Sequence, residues 1–547
     1  MIKGDKMKTS KIVIALLILI LLSVGLWYAI FNIANSYRIE LDTEKPNARN
    51  LTTEQKIEDF NYLYNTMKDN FPFFEVKKRM IGYDWLAQKN EFQNRIRNTK
   101  SDREFYGELN KIVNLVQNAH THILQGAFAE ELRTIYADPN SGYSPSRRNI
   151  LNNEKAIEML KYWENKLTSY DNYIPIIFRY VEGKYVVLDG NLEEYEIPKG
   201  AILTKVDDVG IEQYIKSLSN NRYLSYDYKR KQQMLGELTI FAEPGSEVKL
   251  TFITRDNKVF DAIVSEDQFS YEFIEKYYGN GDDKNYSLKI LQDNKTAYIR
   301  LKSMMTADSF SSDEDGKVIY KFLQQVQDYP YLIVDIRGNG GGSDGYWRNN
   351  LVAYLLNKHT YYDAHLLYKD SDYIKPFIED RYSLFEAKPT TQLPDNKNYP
   401  PEAMTEFKNY VTTTNDVVPK NPVKFKGKIY LLVDGDVYSA AESFASFAKS
   451  IGWATLVGTT TGGDGIIADP ALMMLPNSGI VIRFSSCMGL NPDGTANEEY
   501  HTAPDIYVEQ SFQDFLNIID NNEVPLDEIS KYDTIINHVL NLINSDK

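Results

Sequence analysis

The chain has 547 residues, with an apolar fraction of 43%, a charged fraction of 25% and a net charge of −15. This length is enough for several domains with buried cores, and the lack of a basic patch after the first dozen residues excludes an electrostatic nucleic-acid interface. The single cysteine excludes an internal disulfide and a cysteine-rich zinc site, and the six histidines form no HExxH motif, so no metal or other cofactor is predicted.

The N-terminus predicts a membrane segment. Residues 1–11 contain four lysines, and residues 12–31 form an uncharged apolar run long enough to span a bilayer as a helix. The preceding lysines place residues 1–11 in the cytoplasm and the remainder of the chain outside it. A cleaved signal peptide is the alternative, but the long apolar run and the lack of a small-x-small cleavage site favour an uncleaved signal anchor. We therefore predict a single-pass protein of the cell membrane.

Residues 32–171 are predicted to form a polar stalk and then a helical region. Apolar residues recur at three- and four-residue spacing in TTEQKIEDFNYLYNTMKDNFPFF and in SDREFYGELNKIVNLVQ. Thr52 or Thr53 is expected to cap the first helix, and Ser101 the second. The second helix runs into the polar segment NAHTHI, which contains His120. Taken alone, a histidine in such a loop is more often a surface or packing residue than a catalytic one.

Residues 172–268 predict a compact β-rich module. Two hairpins are expected, around residues 182–183 and residues 256–257. The stretches KGAILTKVDDV and GSEVKLTFITRDN resemble a PDZ domain. That resemblance implies a module that holds peptides by adding them to a sheet edge. A small β-rich insert without a ligand is the alternative.

Residues 285–510 predict an α/β region with a mixed sheet. YPYLIVDI is almost continuously apolar, as expected for a parallel strand buried on both faces. KIYLLV, SAAESFASFAKS and WATLVG follow later as strand, helix and strand, which indicates a right-handed βαβ unit. The polar insert at about residues 365–422 is interpreted as a lid or a surface excursion. Residues 511–547 predict a tail of terminal helices.

Ser439 lies at the predicted turn from KIYLLV into the following helix. Glu442 stands three residues later, which is the spacing of a capping box. A serine at a sharp strand-to-helix turn is also how several hydrolases present a nucleophile. The stretch by itself favours the cap, and the choice depends on the rest of the chain.

The glycine-rich segment RGNGGG, residues 337–342, follows the buried strand YPYLIVDI. Ligands of α/β sheets bind at such strand ends. The loop can aim backbone N–H groups at an oxyanion, cradle a phosphate, or form only a tight turn. It matches neither the P-loop nor the dinucleotide-binding pattern, so nucleotide binding is not predicted.

Four motifs in order, YLIVDIRGNGGG, VYSAAESFA, LVGTTTGGDG and NEEYHTAPDIYV, resemble those of the C-terminal processing (tail-specific) serine peptidases. The resemblance implies a crotonase-like mixed α/β peptidase core at residues 285–510. It also implies a PDZ-type module and an N-terminal helical cap, in agreement with the divisions above. Its implied activity is hydrolysis of peptide bonds in polypeptides through an acyl-enzyme, with Ser439 as the nucleophile and without a cofactor.

The general base separates the branches of this family. In the Ser–Lys branch a lysine follows GxxTxG, but Asp464 stands at that point and no lysine occurs from 450 to 487. The sequence is more similar to the branch of the tricorn core, which uses an N-terminal histidine and a late glutamate. This resemblance implies His120 as the base and Glu498 as the residue that fixes its tautomer, with Glu499 as the rival. His501 replaces the family glycine of the closing motif.

The backbone N–H groups of Gly341 and Ala440 are expected to form the oxyanion hole.

Two other functions remain as alternatives. A catalytically inactive peptide-binding member of the same fold is favoured by the missing lysine. An acyl-CoA hydratase or thioesterase on a related core is disfavoured by the predicted membrane anchor and the PDZ-like module.

Overall fold

The computed structural model describes residues 51–137, 144–166, 173–190, 192–242, 245–265, 284–305, 313–382, 386–523 and 529–545. The predicted cytoplasmic tail, the membrane segment at residues 12–31 and most of the stalk lie outside these ranges. Within the described ranges, no helix combines the length and the hydropathy that crossing a membrane requires.

The first part of the described chain is helical. Its elements are α1 (Thr53–Asn70), α2 (Phe74–Ile81), α3 (Lys89–Asn98), α4 (Asp102–Asn114), β1 (His122–Ile123), α5 (Gly126–Ala137), α6 (Pro145–Leu151) and α7 (Glu154–Lys166), with a 3-10 turn at Leu86–Gln88. Thr52 caps α1 in a reciprocal capping box with Gln55, and Ser101 caps α4 by accepting from the Glu104 N–H at 3.1 Å. Because such side chains satisfy the free backbone donors of a helix start, both predicted helix starts are confirmed.

The next part contains an antiparallel sheet with its own apolar core. Its elements are β2 (Ile176–Val181), β3 (Lys184–Gly190), β4 (Ile202–Val206), β5 (Val209–Gly210), α8 (Ile211–Ser217), β6 (Ser225–Asp227), β7 (Gln232–Met234), β8 (Glu237–Leu238), β9 (Glu247–Ile253) and β10 (Val259–Ser265). The strand order is β10-β9-β4-β3-β2-β8. Glu182 and Gly183 join β2 to β3 with φ angles of 47° and 81°, as a type I′ hairpin turn requires. β9 and β10 also pair as a hairpin, so both predicted hairpins are confirmed.

The remaining elements follow in chain order. They are β11 (Tyr286–Gln292), β12 (Thr296–Leu301), α9 (Asp313–Gln325), β13 (Tyr331–Asp335), α10 (Asp344–Trp347), a π-helical turn (Arg348–Val352), α11 (Ala353–Leu355), β14 (Thr360–Tyr368), α12 (Lys375–Glu379), β15 (Lys388–Pro389), β16 (Asn409–Val417), β17 (Lys428–Val433), α13 (Ala440–Ser450), β18 (Thr455–Gly458), β19 (Ala471–Met474), β20 (Val481–Phe484), β21 (Met488–Leu490), α14 (Asn497–Tyr500), β22 (Ile506–Tyr507), α15 (Phe512–Asp520) and α16 (Thr534–Ser545). Short 3-10 turns lie at Thr390–Gln392 and Pro401–Met404.

The central sheet has the order β11-β12-β13-β17-β18-β22, in which β11 is antiparallel and the other strands are parallel. Leu332 and Val334 of β13 pack into an apolar cluster with α13, and Ile333 packs into a second cluster with α16. Burial on both faces explains why the sequence of this strand shows no alternation. Because β13 and β17 are parallel neighbours, RGNGGG and the Ser439 turn leave the sheet at the same edge.

The insert predicted at residues 365–422 is part of the packed structure. It contributes the last four residues of β14 and all of β16, which pair in an antiparallel sheet of order β15-β16-β14-β21. Leu366, Leu367 and Val411 are buried in the same apolar cluster as α1 and α4. The interpretation as a lid or a surface excursion is therefore wrong. The polar stretch KPTTQLPDNKNYPPEA lies between two long strands, and its composition hides them in the sequence.

A small three-stranded sheet joins the helical part to the central region. β1 pairs antiparallel with β20, and β20 pairs with β19. β1 begins two residues after His120, so this pairing holds the His120 segment against a part of the chain more than 300 residues later.

Candidate active site

Ser439 lies at the sharp turn between β17 and α13. Its backbone angles are φ 57° and ψ −123°, which residues with a side chain rarely adopt. Ser439 occupies the N-cap position of α13, but its side chain makes no capping hydrogen bond. The capping-box alternative with Glu442 is therefore not formed. Backbone strain of this kind persists where the surrounding structure enforces it, and it concentrates at functional sites.

Glu442 is buried beneath the turn instead. Its Oε1 accepts hydrogen bonds from Asn497 Nδ2 at 2.8 Å and from Thr502 Oγ1 at 2.7 Å. Burial raises the pKa of Glu442 to about 7, although these hydrogen bonds oppose the shift. Glu442 thus connects α13 to the segment that carries Glu498.

His120 connects the Ser439 hydroxyl to a buried carboxylate. His120 Nε2 lies 3.1 Å from Ser439 Oγ, and His120 Nδ1 lies 2.7 Å from Asp464 Oδ2. An ionised carboxylate can only accept hydrogen bonds, so Nδ1 carries the proton and Nε2 is left to accept from the serine hydroxyl. This is the tautomer that a general base for serine requires. The fold brings His120 and Ser439 together across 319 positions of sequence.

Asp464 lies in the loop that follows β18 and is 1% exposed. Asn118 Nδ2 and Tyr438 OH donate to its Oδ2 at 2.7 and 2.9 Å. Burial raises the pKa of Asp464, but the charge of His120 and the hydrogen bonds from His120, Asn118 and Tyr438 outweigh burial and hold the pKa below its ordinary value. Asp464 therefore remains ionised and can stabilise a positive charge on His120.

Glu498 lies beside this group without contacting His120. Its carboxylate forms an ion pair with Lys77 Nζ at 2.6 Å and accepts from Asn118 Nδ2 at 3.1 Å. The rival Glu499 pairs with an arginine of α2 at 2.5 Å. The expected contact between Glu498 and His120 is not formed, because Lys77 and Asn118 hold the Glu498 carboxylate and Asp464 occupies the imidazole Nδ1.

The two expected oxyanion donors lie close together. A Cβ on Gly341 would be 2.7 Å from Ser439 Cβ and 2.9 Å from Ala440 N, so the glycine backbone lies directly against the serine turn. Ala440 is the first residue of α13, where backbone N–H groups have no partner within the helix. The Gly341 N–H donates to Asn339 Oδ1 at 3.0 Å. This donor has to leave Asn339 before it can bind an oxyanion.

A buried ion-pair network anchors the RGNGGG loop. Arg337 Nη2 lies 2.7 Å from Asp335 Oδ2 and 2.8 Å from Asp533 Oδ2. Burial raises the pKa of Asp335, but the charge of Arg337 and its hydrogen bonds outweigh burial and lower the pKa to about 2. Asp533 immediately precedes α16, so the network ties the C-terminal helix to the loop beside Ser439.

The family of the central region is shown by comparison with known proteins. Residues 295–508 match the model of peptidase family S41. These residues form a peptidase family S41 domain. The protein is accordingly a serine-type peptidase. The matched range of the S41 domain includes Ser439, Asp464 and Glu498, whereas His120 comes from the helical part that precedes it.

Solved structures extend the likeness beyond the S41 domain. Mature CPAF complexed with lactacystin is 14% identical, with a TM-score of 0.56 over 90% of this chain and 99% of that chain. Mature CPAF gives 13% identity and a TM-score of 0.55 over 90% and 98% of the two chains. The photosystem II D1 C-terminal processing protease gives 15% identity and a TM-score of 0.37 over 84% and 94%. No curated protein sequence matches the chain. At these identities, the CPAF likeness shows a shared mixed α/β fold.

Two clefts flank the serine turn of the S41 domain. One, of about 310 Å³, contains Ser439, His120 and Asp464. Its wall combines apolar side chains with charged ones, among them Ile135, Ile467, Asp344, Arg381, Asp469 and Arg483. The other, of about 330 Å³, is lined by Tyr438 and Glu498. Tyr438 and Ser439 are consecutive, so both clefts border the same turn.

Asp464 is the residue of this site whose role the sequence did not predict. It stands where the Ser–Lys branch has its lysine, and from the sequence alone it indicated only that this lysine is missing. In the structure the same position faces a histidine from the helical part, and a carboxylate fits that partner. The available signal was the pairing of an acidic residue after GTTTGG with a histidine in NAHTHI.

Proposed function

We propose that this protein is a membrane-anchored, extracytoplasmic serine endopeptidase that hydrolyses peptide bonds of polypeptide substrates. The observation that carries the proposal is the 3.1 Å contact between His120 Nε2 and Ser439 Oγ. It unites a histidine of the helical part with the strained serine of the S41 domain, and this is the arrangement that activates a serine nucleophile.

In the proposed reaction, Ser439 Oγ attacks the scissile carbonyl while His120 Nε2 takes its proton. Asp464 holds the Nδ1–H of His120 and stabilises the imidazolium. His120 then protonates the leaving amine, and a water molecule releases the acyl group by the reverse sequence. The Ala440 N–H and, once released from its present acceptor, the Gly341 N–H bind the oxyanion, each contributing about 3–4 kcal/mol in comparable hydrolases.

Labelling with a fluorophosphonate tests the nucleophile directly. The full-length protein should react covalently with the fluorophosphonate and cleave an unfolded polypeptide. Ser439→Ala should do neither, and its unfolding temperature should equal that of the wild type. Ser450→Ala, at the other end of α13, is the matched control and should react like the wild type. Undiminished proteolysis by Ser439→Ala would refute the assignment.

A non-catalytic peptide-binding protein of the same fold is the second candidate. The hydrogen bond from the Gly341 N–H to Asn339 favours it, because one expected oxyanion donor is engaged. The same experiment separates the two candidates. A wild-type protein that binds unfolded polypeptides but neither reacts with the fluorophosphonate nor cleaves them would support the second.

The proposed membrane anchor rests on the lysines of residues 1–11 and the apolar run at residues 12–31. Residues 172–268 are proposed to hold the polypeptide as a PDZ-like module, and β10 supports this because it is an edge strand of its sheet. The full-length protein should stay in the membrane fraction after alkaline extraction, and external protease should digest it in intact spheroplasts. Release by alkaline extraction would refute the uncleaved anchor.

A further inference from the structure

Arg483 lies in the Ser439 cleft with no ion-pair or hydrogen-bond partner for its side chain in the described part of the chain. It lines the same cleft of about 310 Å³ as Ser439 and His120. Its Nε is buried and has no hydrogen-bond partner. We propose that Arg483 binds a carboxylate group of the polypeptide substrate close to the scissile bond, an inference that rests on the proposed peptidase function.

The pleat of β20 places Arg483 on the opposite face from its two buried neighbours. Ile482 and Phe484, on either side of it, are fully buried in that core, whereas Arg483 is partly exposed. Successive side chains of a strand point to opposite faces, so Arg483 leaves the strand on the face opposite Ile482 and Phe484. Two residues further on, Ser485 Oγ donates to Asn118 Oδ1 at 3.1 Å, which fixes this strand to the catalytic group.

An aromatic ring, rather than a carboxylate, supports the guanidinium. Arg483 Cζ lies 5.5 Å from the centre of the Phe128 ring, within the range of a cation–π contact. Phe128 also stacks on His122, which is the β1 partner of Arg483 and lies two residues after His120. The guanidinium is therefore held in position with its N–H donors available, and its planar fork suits a carboxylate.

The acidic side chains around Arg483 are engaged elsewhere. Asp469 forms an ion pair with Arg381, and Asp344 pairs at 2.8 Å with an arginine one helical turn away. Glu131 on α5 is the other carboxyl group that Arg483 influences. Burial raises the pKa of Glu131, and the charge of Arg483 opposes this shift without overcoming it. Against the effect of burial, the charge of Arg483 also helps to lower the pKa of Asp469, behind the larger effects of Arg381 and a second arginine. Within the described residues, no carboxylate lies at ion-pair distance from the Arg483 guanidinium.

A polypeptide can bring a carboxylate to this cleft in two ways. The group is either an aspartate or glutamate side chain near the scissile bond or the α-carboxylate at the end of the chain. Both present the same planar acceptor to the guanidinium. A charge-assisted hydrogen bond in a partly desolvated cleft supports a preference of about 10- to 100-fold over a neutral amide.

Two series of short peptides test the inference on the full-length protein. One series carries a single glutamate at each position in turn, the other carries glutamine instead, and each is made with free and with amidated C-termini. At one position of the series, the wild type should cleave the glutamate peptide with a kcat/KM about 10-fold or more above that of the matching glutamine peptide. A preference that depends on the free C-terminus would instead identify the α-carboxylate as the bound group. Arg483→Gln should abolish the preference, and Arg483→Lys should keep part of it.

The matched control is Arg97→Gln, which removes an exposed arginine of α3 and should leave the preference unchanged. A wild type that prefers neither glutamate over glutamine nor a free over an amidated C-terminus, or Arg483→Gln that keeps the preference, would overturn the inference. The comparison of the two series needs only the wild type, so it holds even where the variant misfolds.

Binding to Ser439→Ala separates this inference from the peptidase function. Glutamate peptides should bind this variant about 10-fold or more tightly than glutamine peptides, and adding Arg483→Gln should remove the difference. Such discrimination without any wild-type cleavage would refute the peptidase function and support the carboxylate site. Cleavage without discrimination would refute the carboxylate site alone.

Discussion

Replacing Asp464 with asparagine should disable His120 without unfolding the protein. Asp464 Oδ2 accepts the His120 Nδ1–H at 2.7 Å, and this contact sets the tautomer in which Nε2 faces Ser439 Oγ. The neutral amide no longer stabilises an imidazolium, and its NH₂ group can donate to Nδ1 and select the opposite tautomer. For charge centres about 4 Å apart in an effective dielectric constant of about 20, the lost attraction is about 4 kcal/mol, or about 1,000-fold in rate.

The lost attraction and the unfavourable tautomer of His120 together should lower kcat/KM by about 1,000- to 10,000-fold. The assay combines the rate of fluorophosphonate labelling with steady-state cleavage of an unfolded polypeptide. The deficit should persist across the neutral pH range, because the lowered pKa of Asp464 keeps the wild-type carboxylate ionised throughout it.

Glu498→Gln is the matched control for Asp464→Asn. It makes the same carboxylate-to-amide change at the neighbouring acid, which contacts Lys77 and Asn118 but not His120. Because the amide weakens only these indirect contacts, the expected loss in kcat/KM is up to about 10-fold. A larger loss for Glu498→Gln than for Asp464→Asn, with both variants folded, would refute the reasoning and return the role of partner to Glu498.

Three further predictions use the same structure. Gly341→Ala should lower kcat/KM by about 100-fold or more, because the added Cβ would lie 2.7 Å from Ser439 Cβ and the backbone has a φ of 103°. The control Gly340→Ala adds a Cβ that meets nothing within 4 Å and should be tolerated. Equal losses in the two variants would contradict this. Glu442→Gln should stabilise the protein more at alkaline than at acidic pH in thermal unfolding, because the folded-state pKa of Glu442, about 7, exceeds the ordinary 4.5. The contribution of Glu442 to the free energy of unfolding is complete below pH 4.5 and falls by roughly 3 kcal/mol as pH rises through 7. Arg337→Met should cost about 3–5 kcal/mol in urea unfolding, since it leaves the buried Asp335 carboxylate uncompensated; a loss under about 1 kcal/mol would contradict this.

Local sequence patterns were sufficient for much of the fold. The unbroken apolar run of YPYLIVDI gave the buried parallel strand, and the caps at Thr52 and Ser101 gave two helix starts. The adjoining strand and helix patterns located the turn at Ser439. The strands of the region 365–422 were missed because polar loops dominate its composition, and the burial of β14 and β16 depends on contacts with the distant helical part.

The choice between two carboxylates could not be made from local patterns. The motif spacing singled out Glu498, and Glu498 does reach the neighbourhood of His120. The residue that holds it away from the imidazole is Lys77 on α2, 421 positions earlier in the chain. Only the folded arrangement shows that Lys77 pairs with the Glu498 carboxylate while Asp464 accepts from His120.

The charges of the two acids explain why Asp464 is the better partner. Both accept from Asn118 Nδ2, so two buried carboxylates lie near one donor and repel each other when both are ionised. Burial raises the pKa of Glu498 to about 7 even with Lys77 beside it, whereas the contacts with His120 lower that of Asp464. Glu498 therefore changes its charge near neutrality and Asp464 does not. A base that must become positively charged during the reaction is best supported by the acid that is always negative, and this favours Asp464 independently of its distance from the imidazole.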